Sequence, residues 1–246
     1  MKNGQMETVL YPVAGREEEA LVFIPNDYSA LYKYGLLLLF DGLDYWRQGR
    51  LSRVISDHFG GRLPFLIALL PVDAAQRTQT YGLSSDTGAR TRHTALLHAV
   101  AGPLLRTMEQ RFTLMPIRGA RAIGGSSLGA AMALSMIVHY PRRFGHFYGQ
   151  SPAFRGELCT RLSDAPPDFL TGLDAHVIVG ENEGPSTDAR DFISEAQACT
   201  DALSRAGAQV EQIIRPGGHG WDAWQGDLPA LLTAFSKSLS FREDRS

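Results

Sequence analysis

Short apolar runs alternate along the chain with longer segments in which apolar residues recur every three or four positions. The short runs have the length and composition of buried β-strands, and the longer segments have the period of helices that bury one face. The predicted strands are Tyr34–Phe40, Leu63–Leu70, Arg121–Ile123, His146–Gln150, Asp174–Val179 and Gln209–Ile214. The predicted helices are Leu51–Phe59, Thr94–Phe112, Ala130–Tyr140, Thr187–Ala206 and Trp221–Leu239.

This alternation of strands and helices predicts the fold class α/β, with a mostly parallel central sheet and helices on both of its faces. Near the N-terminus, Glu7–Val13 and Ala20–Pro25 are β-like runs on either side of a polar turn. They are predicted to form an antiparallel hairpin at the sheet edge. No internal repeat or low-complexity linker is visible, so we expect a single domain over residues 1–246.

Two stretches lack a clear hydrophobic period. Residues 74–93 are polar and are predicted to be a long loop over one face. Residues 151–170 are predicted to be irregular. Pro103 predicts a kink inside the helix Thr94–Phe112, because proline lacks the N–H that a helix interior needs.

Composition and charge exclude several classes of protein. The formal net charge is −2 and no long basic run occurs, which argues against a nucleic-acid partner. No apolar segment has the length of a signal peptide or a membrane span. Cys159 and Cys199 do not form a C-x-x-C pair and are typical of a reducing compartment. We therefore expect a cytoplasmic protein without a membrane partner.

The segment Gly125–Gly129 reads Gly-Ser-Ser-Leu-Gly and matches the pattern G-x-S-x-G. This pattern is typical of a nucleophile elbow, a sharp turn between a strand and a helix that exposes a serine at its apex. An apolar run precedes the segment and a run rich in Ala, Leu and Met follows it, as an elbow requires. The sequence therefore predicts Ser127 as a nucleophile.

A serine hydroxyl needs a base to become a nucleophile at neutral pH, and histidine is the usual one. In an elbow fold the chain order is serine, acid, histidine. Of the seven histidines, His219 follows the last predicted strand and is flanked by glycines in Pro216–Trp221. The other six precede Ser127 or lie in predicted helices and strand starts. His219 is therefore the predicted base.

The acid of such a triad should follow the penultimate strand. The loop after Val179 contains Glu181 and Glu183, and Asp188 lies slightly further along. Glu183 is the preferred candidate because it lies deeper in the loop, where its side chain can turn back towards His219. Glu181 and Asp188 remain alternatives.

An oxyanion hole requires two N–H donors directed at the developing negative charge. The residue after the nucleophile, Leu128, is expected to supply one. The other is expected from the loop that follows the first long parallel strand, where Leu43 comes after Asp41 and Gly42. No H-E-x-x-H, Cys/His cluster, P-loop or G-x-G-x-x-G pattern occurs, so neither a metal nor another cofactor is expected.

These motifs together resemble the enterochelin (ferric enterobactin) esterase-like group of α/β-hydrolases, within the wider esterase D-like set. The resemblance covers about Leu38 to Phe235. The matching segments are Leu38–Gly42, Gly125–Gly129, Pro141–Gly145, Gln150–Ser151, Gly180–Glu183 and Gly217–His219 with Trp224. They occur in the order and approximate spacing of that family.

The resemblance implies an α/β-hydrolase fold and a serine carboxylic-ester hydrolase that acts on a small-molecule ester through a Ser-His-Glu triad. In the most similar members of the family the substrate is a catecholate siderophore trilactone. The segments after Arg77 and after Ser151 depart from the siderophore type, as does Gly220 after the histidine. Acyl transfer or thioester hydrolysis on the same triad is the alternative, and an inactive binding homologue is a third possibility.

The substrate pocket is expected at the carboxyl edge of the sheet, where ligands bind in open α/β folds. Arg77 is a candidate to face an anionic or catecholate substrate, with Arg90, Arg92 and Arg155 as further candidates. Tyr81 and Trp221 are candidates to contact an aromatic acyl group. The acyl group, the alcohol and the oligomeric state do not follow from the sequence.

Overall fold

The computed structural model describes residues 4–82, 87–154, 156–184 and 191–243. Within these ranges the chain forms an eight-stranded sheet with the strand order β1-β2-β4-β3-β5-β6-β7-β8. The strands are β1 (Gln5–Val13), β2 (Arg16–Ile24), β3 (Gly35–Phe40), β4 (Phe65–Leu70), β5 (Arg121–Ser126), β6 (His146–Gln150), β7 (Asp174–Gly180) and β8 (Gln209–Arg215).

Helices connect the parallel strands. They are α1 (Gly42–Arg47), α2 (Leu51–Phe59), α3 (Arg77–Tyr81), α4 (Thr87–Ala99), α5 (Leu105–Arg111), α6 (Leu128–His139), α7 (Glu157–Ser163), α8 (Phe192–Arg205) and α9 (Trp221–Glu243). None of these described helices combines the length and apolarity that a membrane-spanning segment requires.

The pairing of the strands confirms the predicted fold class. Strands β3 to β8 pair in parallel. The hairpin β1–β2 is antiparallel, from Gln5 opposite Ile24 to Val13 opposite Arg16, and β2 joins the sheet antiparallel to β4. The sheet is therefore mostly parallel with an antiparallel edge, as the sequence predicted.

Both faces of the sheet are covered, which explains why β3 and β4 are apolar at nearly every position. Every residue of these two strands is buried. Helices α1, α2 and α9 pack on one face, and α3 to α8 pack on the other. Since β3, β5, β7 and β8 run parallel, their carboxyl ends meet at one edge of the sheet, and the loops that follow them carry the candidate site.

The predicted loop over residues 74–93 is wrong, because this stretch contains α3 and the first half of α4. Ala89, His93 and Leu97 are buried at a spacing of four along α4. His93 lies 2.9 Å from the Thr80 carbonyl oxygen and 2.9 Å from Ser135 Oγ, so its ring nitrogens are paired although buried. The polar composition concealed this buried face, because a paired histidine is polar in sequence and part of the core in the fold.

Three other boundaries differ from the predictions. The helix predicted over Thr94–Phe112 is interrupted by a π-helical turn, Val100–Leu104, which contains Pro103. Helix α7 lies inside the stretch 151–170 that was predicted to be irregular. Helix α8 begins at Phe192, and the residues 187–190 that were assigned to it lie outside the described ranges.

Candidate active site

Ser127 occupies the sharp turn between β5 and α6, as the motif predicts. Its φ and ψ are 53° and −116°, a strained conformation for a residue with a side chain. A Cβ atom on Gly125 would overlap the backbone of Gly129, and a Cβ atom on Gly129 would overlap Asp41 Oδ2. Only glycine fits at these two positions, so the motif is required by close packing around Ser127.

His219 lies beside Ser127, in the loop between β8 and α9. Its Nε2 atom is 2.9 Å from Ser127 Oγ, and its Nδ1 atom is 2.7 Å from Glu183 Oε2. The three side chains, which are far apart in sequence, therefore form one continuous hydrogen-bonded row. When Glu183 is ionised, it accepts a hydrogen bond from His219 Nδ1–H, and Nε2 of the neutral imidazole can then accept a hydrogen bond from the serine hydroxyl.

The Glu183 side chain is fully buried, with 0% of its surface exposed. Its Oε1 atom accepts hydrogen bonds from Ser151 Oγ at 2.8 Å and from the Gly180 backbone N–H at 2.8 Å. Burial alone would raise the pKa of this carboxyl, but the hydrogen bonds from His219, Ser151 and Gly180 outweigh burial and hold the pKa below its usual value. Glu183 is therefore kept ionised beside the imidazole.

The alternative acids are placed differently. Glu181 is exposed to solvent and is not part of the row. Asp188 lies outside the described residues.

A comparison with known protein families identifies the chain. The profile of the Esterase family, described as "Putative esterase", matches residues 12–235. The chain belongs to this Esterase family. It is a carboxylic-ester hydrolase with an α/β-hydrolase fold.

One sequence relative and two solved structures illustrate the similarity. This esterase is 26% identical to the uncharacterized protein YjcH of Bacillus subtilis, over 97% of this chain and 99% of that protein. It resembles the structure of a ferulic acid esterase with a TM-score of 0.76 and 17% identity, over 95% of this chain and 97% of the other. It also resembles the enterobactin esterase FES of Shigella flexneri, with a TM-score of 0.76 and 18% identity. This match covers 96% of this chain but only 59% of FES.

In this esterase, a buried polar cluster surrounds Ser151. The Ser151 backbone has a left-handed φ of 46°, and its hydroxyl accepts a hydrogen bond from Trp224 Nε1 at 3.0 Å while donating to Glu183. The Gln150 side-chain amide donates to the Trp224 carbonyl oxygen at 2.8 Å and to Asp227 Oδ2 at 2.8 Å. These contacts tie the end of β6 to α9, directly behind the Glu183 carboxylate.

The polar cluster around Ser151 also includes side chains from α1 and β8. Tyr45 of α1 donates a hydrogen bond to Gln150 Oε1 at 2.7 Å. Arg215 Nε lies 3.0 Å from Asp227 Oδ1. Gln150, Ser151 and Trp224 belong to the segments that match the family motifs, but the sequence alone assigned them no role. The available signal was that Gln150 and Ser151 lie at the carboxyl end of a predicted strand, since the carboxyl ends of parallel strands meet at one sheet edge.

Aromatic rings pack around the His219 imidazole. The Phe192 ring lies 3.9 Å from the imidazole centroid at an interplanar angle of 30°, and the Trp224 ring lies 4.9 Å away at 78°. Trp221 is edge-on to Trp224 at 5.3 Å and to Tyr45 at 4.9 Å. The imidazole therefore contacts two aromatic rings, and α1 packs against the start of α9, directly after the loop that carries His219.

Leu43 and Leu128 both lie in the first turns of helices, α1 and α6. Backbone N–H groups at such positions have no acceptor within their own helix. Both amides thus have the local geometry expected of free donors, and Leu128 directly follows Ser127.

Two of the predicted substrate-binding residues, Arg77 and Tyr81, contact Asp41 inside the protein. Arg77 donates two hydrogen bonds of 2.7 Å to the Asp41 carboxylate, and its side chain is 27% exposed, so a substrate contact by its guanidinium stays a prediction. Tyr81 is only 1% exposed, so it cannot stack on a substrate. Its ring packs on Phe40, and its hydroxyl accepts from the Asp41 N–H at 3.4 Å. The error for Tyr81 follows from the mistaken loop over residues 74–93.

The remaining predicted contacts stand differently. Trp221 is half-buried and lies next to the His219 loop, where it stays a candidate substrate contact. Arg155 lies outside the described residues. Among the residues that the structure describes, no three His, Cys, Asp or Glu side chains are grouped so that they could hold a metal ion.

Proposed function

We propose that this esterase cleaves carboxylic esters through a Ser127–His219–Glu183 triad and a covalent acyl-enzyme. The observation that supports this proposal is the row of two short contacts, 2.9 Å from Ser127 Oγ to His219 Nε2 and 2.7 Å from His219 Nδ1 to Glu183 Oε2. The row begins at the strained apex of a strand–helix turn. Such an apex presents a hydroxyl to substrate at the carboxyl edge of the sheet.

In the acylation step, Ser127 Oγ attacks the carbonyl carbon of the ester while its proton passes to His219 Nε2. The resulting tetrahedral oxyanion collapses, the bond to the alcohol oxygen breaks, and His219 returns the proton to the leaving alcohol. In the second step water attacks the acyl-enzyme, and His219 again takes and returns one proton. Glu183 orients the imidazole and stabilises the imidazolium in both steps.

The backbone amides of Leu43 and Leu128 are proposed to bind the oxyanion. Each lies in the first turn of its helix, where the N–H is free of intrahelical bonding and near the positive end of the helix dipole. Two such donors stabilise charge that develops only in the transition state.

We further propose that the substrate is a small-molecule ester with an aromatic acyl part, of which a catecholate siderophore trilactone is one candidate. Solved structures of similar fold are named for ferulic acid and for enterobactin. Trp221, half-buried beside the His219 loop, offers an aromatic surface for such a group. The test is hydrolysis of p-nitrophenyl esters of graded chain length, a hydroxycinnamate ester, and a catecholate trilactone with and without bound iron.

The triad itself is tested by Ser127→Ala. Loss of a triad nucleophile costs about 10⁶-fold in turnover in a well-tuned protease. Ser126→Ala is the matched control, because it removes a neighbouring buried hydroxyl. We expect Ser127→Ala to lose ester hydrolysis and Ser126→Ala to keep it, both with unchanged circular dichroism. If Ser127→Ala retained more than about a tenth of the parental kcat on every cleaved ester, the proposed mechanism would be wrong.

A further inference from the structure

Arg77 and Asp41 form a two-point ion pair below the turn that carries Ser127. Arg77 Nε lies 2.7 Å from Asp41 Oδ1, and Arg77 Nη2 lies 2.7 Å from Asp41 Oδ2. The Asp41 side chain is 1% exposed and the Arg77 side chain is 27% exposed. The planar guanidinium thus meets the carboxylate with two parallel bonds, a geometry that fixes orientation as well as distance.

The pair contacts two segments on which the proposed mechanism depends. Asp41 is the residue between β3 and α1, with a left-handed φ of 58°, and so it directly precedes the turn that contains Leu43. Arg77 Nη2 is also 3.4 Å from the carbonyl oxygen of Ser126, the last residue of β5. Asp41 Oδ2 occupies the space that a side chain on Gly129 would need. One ion pair therefore joins the start of α1 to both sides of the Ser127 turn.

Helix α3 holds the arginine in place. Tyr81, at its other end, is buried against Phe40, and its hydroxyl lies 3.4 Å from the Asp41 backbone N–H. The Arg77 guanidinium also lies over the Tyr81 ring, 5.9 Å from its centroid. Thus α3 contacts both the side chain and the backbone of Asp41, and the pair has little freedom to shift.

The charges of the Arg77–Asp41 pair also affect the electrostatics around the proposed oxyanion. A bare carboxylate at Asp41 would place a negative charge near the site where the oxyanion develops. The Arg77 guanidinium compensates that charge through two contacts. The Asp41 carboxylate can therefore anchor the start of α1 without adding a net negative charge near the oxyanion. Loss of the arginine would leave a buried carboxylate unpaired, which proteins relieve by protonation or local rearrangement.

We propose that Arg77 is a positioning residue, which acts through Asp41 to fix the Leu43 amide relative to Ser127, and is not a substrate-binding residue. This inference rests on the proposed function. Because the oxyanion forms only in the transition state, a shift of the Leu43 amide lowers kcat and leaves ground-state binding unchanged. A misplacement of about 1 Å costs on the order of 10²-fold in rate.

The experiment compares Arg77→Ala, Arg77→Lys and Asp41→Asn on a neutral p-nitrophenyl ester and on an ester of matched size with a free carboxylate. Arg53→Ala is the control, since Arg53 forms an ion pair with Asp57 on the exposed surface of α2, 3.2 Å apart. For Arg77→Ala we expect kcat to fall by about 10²-fold on both esters, with KM within about twofold of the parent. Arg77→Lys restores part of the rate, because lysine keeps the charge but makes only one of the two bonds.

A second measurement separates positioning from general loosening of the structure. A trifluoromethyl ketone forms a tetrahedral adduct with a serine nucleophile, and this adduct carries an oxyanion. Its inhibition constant therefore reports on the backbone N–H groups that bind the oxyanion. We expect its affinity to fall in parallel with kcat in the Arg77 variants and to stay unchanged in Arg53→Ala. If Arg77→Ala does not fold, Arg77→Lys and Asp41→Asn carry the test alone, with kcat and inhibitor affinity falling together.

Two results would overturn the inference: an unchanged kcat in the folded Arg77 variants, or a rise in KM confined to the anionic ester, which would show substrate binding. Both are distinguishable from failure of the proposed function. If Ser127→Ala is inactive while Arg77→Ala has the parental kcat, only the positioning role is wrong. If Ser127→Ala is active, the triad itself is wrong.

Discussion

Two buried polar clusters flank Ser127, and each contains a carboxylate that is paired in a different way. In the acid cluster, made of Glu183, Ser151 and their partners, neutral donors from Ser151 Oγ and the Gly180 N–H bind the carboxylate at 2.8 Å each. In the brace cluster, made of Asp41, Arg77 and Tyr81, a guanidinium binds the carboxylate at two points of 2.7 Å. Arg215 also lies near the acid cluster, with Nη2 3.5 Å from Glu183 Oε1 and Nε 3.0 Å from Asp227 Oδ1. One guanidinium there faces two carboxylates and compensates their charge only in part, whereas in the brace cluster one guanidinium faces one carboxylate.

The pKa values of the two carboxyls are shifted in opposite directions. Burial raises the pKa of Asp41, and the Arg77 contacts offset only part of that rise. For Glu183 the hydrogen bonds outweigh burial, and the pKa is lowered. A carboxylate that must stabilise an imidazolium needs negative charge that is not fully compensated, whereas a carboxylate that only anchors the backbone can be neutralised by its partner. The difference between the clusters is consistent with these two tasks.

The largest expected effects lie in the acid cluster. We expect His219→Ala to lower kcat by about 10⁶-fold and Glu183→Gln to lower it by about 10⁴-fold. The effect of His219→Ala is larger because His219 transfers the proton, whereas Glu183 only orients the imidazole and stabilises the imidazolium. Steady-state kinetics on a p-nitrophenyl ester measures both. Glu181→Gln is the control, since Glu181 is exposed in the same loop. A parental rate in Glu183→Gln together with a collapse in Glu181→Gln would move the acid to Glu181.

A smaller effect is expected when the partner of the acid is removed. Ser151→Ala deletes the hydroxyl that donates to Glu183 and accepts from Trp224. A hydrogen bond to a charged group contributes about 1.5–3 kcal/mol, so we expect the free energy of unfolding in urea to fall by that amount. Ser236→Ala is a matched control, because Ser236 Oγ is buried without a partner among the described residues. Equal stability of the two variants would contradict a supporting role for Ser151.

The smallest expected effect is the pH dependence of the free energy of unfolding. It is also the measurement that distinguishes the two clusters most directly. Since the folded pKa of Glu183 is lowered, its stabilising contribution is present above the ordinary carboxyl pKa of about 4.3 and is lost as the pH falls through the folded value. The urea midpoint of the parent should therefore exceed that of Glu183→Gln at pH 7, and the difference should shrink as the solution is acidified.

Asp41→Asn should show the opposite slope. A raised folded pKa contributes stability that is present at low pH and is lost as the pH rises through the folded value. The parent should therefore gain stability relative to Asp41→Asn as the pH falls from 7 towards the ordinary aspartate pKa of about 3.9. Parallel slopes for the two variants would contradict the distinction between the clusters.

Local sequence patterns were sufficient wherever a short-range rule determined the structure. The glycines around Ser127 predict the sharp turn because a Cβ atom at either position would overlap backbone or carboxylate atoms. The apolar runs of β3 and β4 predict buried strands because no polar face is needed between two helix layers. The order of serine, acid and histidine was readable because the loops after parallel strands meet at one edge.

What the sequence by itself determined, then, is the α/β architecture, the edge hairpin, Ser127 and His219 of the row, and a short list of acids in which Glu183 was preferred. Only the tertiary structure decided which polar side chains are paired inside the protein. The sequence placed Arg77 and Tyr81 in a long polar loop. In the structure Arg77 forms an ion pair with Asp41, and the Tyr81 ring packs on Phe40. The physical reason is that a polar group can be buried when a distant residue satisfies it, and that distance in space is not encoded in local periodicity.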